Sequence, residues 1–463
     1  MESVVIRKLS RRLVWFLMLL FFFCVLDRVN IGFAALSMNR DLGLTAQAFG
    51  VGAAMFSVGY LLFEVPSNLI LHKVGARRWI ARIMITWGVV SMATVLCRGP
   101  NTFYLLRFLL GVAEAGFFPG VILYLSYWFP AAHRARFNAL FLLAIPLSQT
   151  LAAAISGVLL ELDGVLGLAG WQWLILIEGF PALLLGAVTF FYLTDRPREA
   201  TWLNAEERRW LETTLAREDR VMNKLDSRRL LHTFGNPAVL LLGLTYFGIN
   251  MVLTGVPLWL PQIIRSGGFS YGLTGFLAAM PPFAGAVAMV MWSRHSDRDG
   301  ERLWHLIAAI ALCSIGWGMA VIFAHTPSLL ILSLVVANAG ILAATSIFWT
   351  LPTSVLAGTS AAAGIALIGV FGNLGGTLGP IAVGYIKDTT QSFTATFVFM
   401  SGVVLAAGLV AFAARSRIVP SQPRQIAAGA AEAGRHDATY RNSVDQPLAP
   451  ALLNDGEAAL GNL

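Results

Sequence analysis

The sequence predicts an all-α membrane protein of twelve transmembrane helices in two pseudo-symmetric six-helix bundles. Three observations carry that prediction. Hydrophobic residues make up 57% of the chain and charged residues only 13%, about half the share found in a soluble domain. Such a chain cannot cover itself with polar surface, so its natural solvent is lipid. The apolar residues fall into twelve runs, each close to the roughly 20 residues that cross a bilayer as a helix. Lys and Arg collect in alternate connections between the runs, as the positive-inside rule expects.

The first six runs lie near 13–36, 47–71, 79–97, 102–129, 137–160 and 172–193. Six more follow near 238–264, 272–293, 303–324, 328–350, 360–386 and 393–414. The expected organisation is a first bundle over 1–193, a cytoplasmic central loop over 194–236, a second bundle over 237–414 and a disordered cytoplasmic tail over 415–463. The tail is rich in Ala, Gly and Pro, a composition that does not bury a core. Within the central loop, residues 201–218 form an amphipathic pattern that predicts a surface helix.

A basic segment (Arg7, Lys8, Arg11, Arg12) precedes the first run and mimics a signal peptide. Asp27 and Arg28 interrupt that run and no clean cleavage site follows, so it reads as an uncleaved first helix. With the N-terminus inside, the short loops on that side carry thirteen basic residues. These include Lys73, Arg77, Arg78, Arg82, Arg134, Arg136, Arg294, Arg298 and Arg302. The opposite short loops carry four: Arg40, Arg98, Arg265 and Lys387. Both termini are then cytoplasmic, and the net charge of +8 needs no nucleic acid to explain it.

The two halves echo each other. HKVGARR (72–78) follows the second run and SDRDGER (296–302) follows the eighth, and an offset of 225 residues aligns Gly75 with Gly300. Other chemistries are not written here. Cys24, Cys97 and Cys313 lie in or beside apolar runs, which fits packing and not a disulfide or metal framework. No two of the seven histidines have helical ligand spacing, so no metal is expected. There is no phosphate-binding Gly-rich loop, no cofactor motif and no catalytic cluster, so an enzyme is not expected.

Few ionisable residues fall inside the runs: Asp27, Arg28, Glu64, Arg107, Glu114 and Glu178. Each costs roughly 2.5–3.5 kcal/mol at a helix centre on insertion scales, so each calls for a reason. Arg107 and Glu114 share one face of the fourth helix, about 10 Å apart along its axis. By depth, Asp27 can pair with Arg107 if the first and fourth helices adjoin. A static ion-pair network that orients helices is the alternative for this group. Glu64 and Glu178 are expected near cytoplasmic helix ends, paired with loop arginines. Gln149, Asn250, Trp349, Thr350 and Asn373 add polar groups to the fifth, seventh, tenth and eleventh helices. They could bind a ligand or bond neighbouring helices, the latter favoured for Asn250, Trp349 and Thr350.

Several motifs read together: LDRVNIGFAAL (26–36), YLLFEVPSNLIL (60–71), VGARRW (74–79), RFLLGVAEAGFFPG (107–120), WLPQIIRSGG (259–268), WSRHSDRDGERLWH (292–305) and GNLGGTLGP (372–380). With them, residues 10–415 resemble the anion:cation symporter family of the major facilitator superfamily, in its bacterial sugar-acid, tartrate and aromatic-acid branch. The resemblance implies the major facilitator fold and proton-coupled transport of a small organic anion by alternating access, by a monomer in the bacterial inner membrane. Export or exchange on the same fold is the alternative. It aligns Asp27 and Glu114 with the proton-coupling acids and Arg107 with the arginine that tunes them. Arg28 aligns with the anion-binding arginine, Tyr60 with a pocket tyrosine and Asn373 with a pocket asparagine; Gln149 is a further candidate for the substrate site. Lys73, Arg77, Arg78, Asp297 and Arg298 are expected in a cytoplasmic gate together with Pro130, Arg134 and Arg136. IGVFGNLGGT (368–377) departs from the family's INSIGNLGGF at Gly369 and Val370, and AAISG (153–157) lacks the family's proline.

Overall fold

Every described secondary-structure element is helical in this computed structural model, which describes residues 1–222, 236–355 and 359–415. The expected tail therefore lies outside the described residues except for Arg415, as does 223–235 of the central loop. Twelve helices are long and apolar enough to cross a membrane. They are α1 (Glu2–Asp41), α2 (Ala46–Val74), α3 (Ala76–Leu96), α4 (Pro100–Ser126), α5 (Ala131–Leu159) and α6 (Gly170–Tyr192). The second set is α7 (Pro237–Arg265), α8 (Tyr271–Asp299), α9 (Leu303–Ile322), α10 (Pro327–Pro352), α11 (Thr359–Thr390) and α12 (Phe393–Ala413).

Most helices overrun their apolar cores. In α1 the basic segment is itself helical, and it buries Val5, Leu9 and Leu13 while Arg7 and Arg11 are exposed and Arg12 packs over Tyr192 and Trp202. Hydropathy locates the apolar stretch but not such amphipathic extensions. Two spans are interrupted. α4 breaks at Ala115 and Gly116, where Gly116 adopts φ +83°, directly after Glu114. α10, its counterpart in the second set, is interrupted at Trp349.

The packing repeats with a shift of six helices. α1 packs on α5 and α6, α2 on α4, and α3 on α4 and α6. In the second set α7 packs on α11 and α12, α8 on α10, and α9 on α10 and α12. The two bundles meet along α1–α7, α2–α11 and α5–α8.

At the face opposite the N-terminus the bundles are joined by two matching contacts. Asp388, near the end of α11, accepts from the backbone N–H groups of Ala46 (3.0 Å) and Gln47 (2.7 Å) at the start of α2. Glu161, just past α5, accepts from Gly272 N–H (3.0 Å) at the start of α8. In each case a carboxylate of one bundle caps a helix N-terminus of the other, where orphan N–H groups and the helix dipole favour negative charge. Between them α5 and α8 touch backbone to backbone, since a Cβ on Gly157 would lie 2.7 Å from Gly275 Cα.

At the N-terminal face the surface helix (Ala205–Met222) packs on the first bundle. Leu203 and Leu211 are buried there, and Trp202 stacks on Trp128 at 5.4 Å. Arg134 Nη2 donates to Glu218 at 3.1 Å. Lys8 Nζ donates to Glu207 at 2.7 Å, and that bond holds the Glu207 carboxyl below its ordinary value.

Two predictions follow from these contacts. Each inter-bundle cap is worth about 1 kcal/mol, so Asp388→Ala combined with Glu161→Ala should loosen the far face by about 2 kcal/mol, roughly a thirtyfold shift. A cysteine placed at Ala53, beneath that face, should then label faster with an impermeant thiol reagent; an unchanged rate would rule out a sealing role. A lowered carboxyl contributes stability above its unfolded value, about 4.3 for Glu, and loses it as pH falls through the folded value. Protease resistance of the surface helix should therefore hold from neutral pH down to about 4.3 and be lost as pH falls further, whereas Glu207→Gln should reduce it already at neutral pH.

Candidate functional site

A cavity of about 360 Å³ lies between the bundles. The first bundle lines it with Arg28, Phe56, Tyr60, Arg107 and Gln149. The second contributes Asn250, Thr254, Ser346, Trp349, Asn373 and Thr377. Arg28, Tyr60, Arg107, Gln149 and Asn373 were expected at a central site, and the structure brings them to one cavity. It also places Trp349 and Asn250 there.

The charged wall is built around Phe56. The Arg28 guanidinium lies 5.5 Å from its ring centroid and the Arg107 guanidinium 4.9 Å, and Arg28 also sits 5.1 Å over Tyr60. Such cation–π contacts help to hold desolvated guanidinium groups beside an apolar wall. Phe56 and Tyr60 are four residues apart on α2, so both rings face the same way.

Glu114 is fully buried behind Arg28. Its Oε1 accepts from Arg28 Nε at 2.5 Å and from Cys24 Sγ at 3.0 Å, and it forms an ion pair with Arg28 Nη2. Cys24 and Arg28 are one turn apart on α1, so a single face of that helix grips one carboxylate oxygen. Arg107 is buried and makes no ion pair among the described residues, and its Nε has no hydrogen-bond partner.

Asp27 occupies a different environment. It is buried and does not line the cavity. Its carboxylate accepts from Ser91 Oγ (2.5 Å) and Trp87 Nε1 (2.8 Å) on α3, and from Asn30 Nδ2 (3.2 Å) on α1. The expected Asp27–Arg107 pair is thus not formed. Asp27 points toward α3, where neutral donors satisfy it, and the ion pair forms between Arg28 and Glu114 instead.

The expectation for Glu64 and Glu178 is corrected. Neither pairs with a loop arginine among the described residues. Glu64 is half-buried, with Arg28 as its cationic neighbour. Glu178 lies eight residues into α6 from the far face and accepts from Ser156 Oγ at 2.8 Å. Hydropathy gave its helix but set it too close to the N-terminal face.

The expected gate residues are not brought together. Asp195 accepts from Arg77 N–H at 2.8 Å, and Gly75, at φ +98°, leaves room for that carboxylate. Lys73 and Arg78 are exposed. Asp297 pairs with Arg302 at 2.6 Å within its own loop, and Arg298 is exposed. Among the described residues no hydrogen bond or ion pair links the Lys73–Arg78 loop to the Asp297–Arg302 loop. The halves are therefore closed together at the far face and unjoined at these loops. Beside the second loop, His295, Asp299 and His305 each bring a ligand-type atom within 4.8 Å of the others. Residue spacing did not suggest this group, because His295 and His305 lie on different helices.

Comparison with known proteins places this architecture. The profile of the Major Facilitator Superfamily matches residues 17–380, with a second match over 268–456. A protein of Agrobacterium vitis, named as a candidate tartrate transporter, is 52% identical over 410 residues, covering 89% of this chain and 91% of that protein. The quinolone resistance transporter of Acinetobacter baumannii is 41% identical over 415 residues, covering 88% and 94%. The inner membrane transport protein RhmT of Escherichia coli is 37% identical over 415 residues, covering 89% and 96%. The crystal structure of a D-xylose-proton symporter superposes with a TM-score of 0.69 at 16% identity, covering 89% of this chain and 98% of that one. At that identity the likeness is one of fold. The family match and these relatives agree with the twelve-helix architecture: the chain belongs to the major facilitator superfamily, a family of multi-pass membrane transporters and not of enzymes.

Proposed function

We propose that the chain is a proton-coupled importer of a small organic anion, working as a monomer in a bacterial inner membrane with both termini cytoplasmic. The observation that supports this reading most directly is the Arg28–Glu114 pair in the wall of the cavity, beside an Arg107 that has no ion-pair partner.

On this reading Glu114 and the cargo compete for Arg28. An ionised Glu114 holds the guanidinium. A proton taken up from outside neutralises Glu114 and frees Arg28, whose planar fork then accepts a carboxylate of the cargo. Arg107 supplies the second positive charge across Phe56. One proton and one negative charge enter together, so the buried site keeps its net charge. When the cavity faces the cytoplasm, loss of the proton restores the Glu114 carboxylate, which recaptures Arg28 and displaces the anion. Asp27 is the second coupling acid, set behind α1 where it acts on Arg107 through the local field. Tyr60, Gln149 and Asn373 bind the uncharged parts of the cargo.

The names of the relatives agree with an organic acid: two Agrobacterium vitis proteins about half identical to this chain are named as candidate tartrate transporters. Lys73, Arg77, Arg78, Asp297 and Arg298 belong in this scheme to the cytoplasmic gate, which closes when the bundles rock to open the far face. Residues 1–193 and 237–414 are then the two rocking units. Export is the second reading, favoured by the relative named for quinolone resistance.

Proteoliposomes with an inwardly directed proton gradient, offered sugar acids, tartrate and aromatic carboxylates, should accumulate at least one anion and lose that accumulation with a protonophore. Uptake of neutral solutes alone would end the anion assignment. Glu114→Gln and Asp27→Asn should lower gradient-driven accumulation at least tenfold while leaving exchange of labelled for unlabelled anion within about twofold. Full accumulation by either variant would remove that acid from the coupling role.

A further inference from the structure

The buried charges of the first bundle do not balance. Glu114 is 0% exposed, Asp27 2%, Glu178 3% and Arg107 4%. With Arg28 at the cavity edge, three buried carboxylates face two arginines. Arg28 neutralises Glu114 by direct contact. Arg107 is the cation next to Asp27. Glu178 has none.

Its surroundings are neutral or acidic on every side. From α5, Ser156 Oγ donates to Oε1 at 2.8 Å. From α1, Asn30 and Asp27 face the carboxyl. From α3, Ser91 and Met92 pack against the adjoining Gly179. Glu64, on α2, has Arg28 as its cationic neighbour, and Glu114 is engaged by Arg28 and Cys24. The second oxygen of Glu178, Oε2, is buried without a hydrogen-bond partner. A bare carboxylate oxygen in such a place carries a desolvation cost that nothing offsets, and a group so placed takes up a proton instead. Two carboxyls this close repel when both are ionised, so they titrate as a pair. Asp27 has three donors and Arg107 to support its charge, whereas Glu178 has the Ser156 hydroxyl and the facing amide of Asn30 and no cation.

We propose that Glu178 is a proton-binding site of this protein, carrying the one proton that brings the buried cluster to neutrality while Asp27 beside it is ionised. A neutral Glu178 removes the repulsion that would otherwise oppose the charged form of Asp27. It therefore sets the charge state of an acid that the proposed transport cycle uses. Only that last use rests on the proposed proton coupling; the proton on Glu178 follows from its own burial, its unpartnered Oε2 and the lack of a cation beside it, which the loss of a neighbouring acid leaves in place.

Infrared spectra of the full-length protein in lipid vesicles, taken without any cargo near neutral pH, read this proton directly. The wild type should show the carbonyl-stretch band of a protonated, solvent-shielded carboxyl group. Asp27→Asn and Glu114→Gln should keep it, Glu178→Gln should lose it, and Glu178→Asp should keep it at a shifted frequency. Absence of the band in the wild type, or its survival in folded Glu178→Gln, would overturn the proposal. If the band behaves as expected while no anion is accumulated in proteoliposomes, the function reading fails and this inference stands. An absent band with normal proton-driven uptake gives the reverse.

Discussion

Charge placed in hydrocarbon must be compensated by the protein itself, and the Arg28–Glu114 contact is where this chain meets that demand at its central cavity. It fixes the rotation of α1 about its axis. Successive residues on a helix point about 100° apart, so turning Arg28 toward the cavity turns Asp27 away from it, into Trp87 and Ser91 of α3. The adjacent residues of one dipeptide thereby serve two separate environments. The same rotation brings Cys24 onto Glu114 from one turn earlier. The break in α4 directly after Glu114 lets the chain step around this buried pair, with Gly116 taking the positive φ that an L side chain resists.

On the proposed alternating-access reading, the second constraint is that two bundles must hold together without being locked. Their shared surface includes close helix contacts at glycines and carboxylate caps on helix N-termini. Asp388 on α2 and Glu161 on α8 are related by the same six-helix shift that relates the bundles. Caps of this kind are each worth about 1 kcal/mol, small enough to release in a conformational step. The loops at the N-terminal face bond within their own bundle, through Asp195 on one side and Arg302 on the other. The structure thus shows one face closed by contacts that are individually weak and the loops of the other face unjoined between the bundles.

Much of this was legible in the sequence, and the limits have physical causes. The twelve spans follow from apolar length alone. Their ends do not, because amphipathic turns such as the start of α1 bury one side without raising hydropathy. Asp27, Arg28, Arg107 and Glu114 stood out because charge in a span is costly. Their pairing did not, since it depends on how each helix is rotated against its neighbours. Glu178 was set near the wrong end of its helix, so its burial beside Asp27 and Asn30 was not visible. Phe56 carries no signal of its own in a chain this rich in apolar residues. Only the arginines over its ring mark it.

The two bundles also divide the chemistry. Among the described residues every buried charged side chain lies before residue 223, and within the membrane these sit in α1, α4 and α6. Among the described residues the second bundle offers the cavity only neutral groups, including amides at Asn250 and Asn373, hydroxyls at Thr254, Ser346 and Thr377, and the ring of Trp349. Asn250 and Thr254 already bond the backbone at Gly372 and Gly376, which fixes α7 against α11. On the proposed reading, the first bundle reads the charge of the cargo and couples it to the proton, and the second reads its uncharged remainder. Relatives that carry different acids could then keep the first wall intact and vary the second. The departure at Gly369 and Val370 is consistent with this, because it alters the second bundle and leaves Arg28, Arg107 and Glu114 untouched.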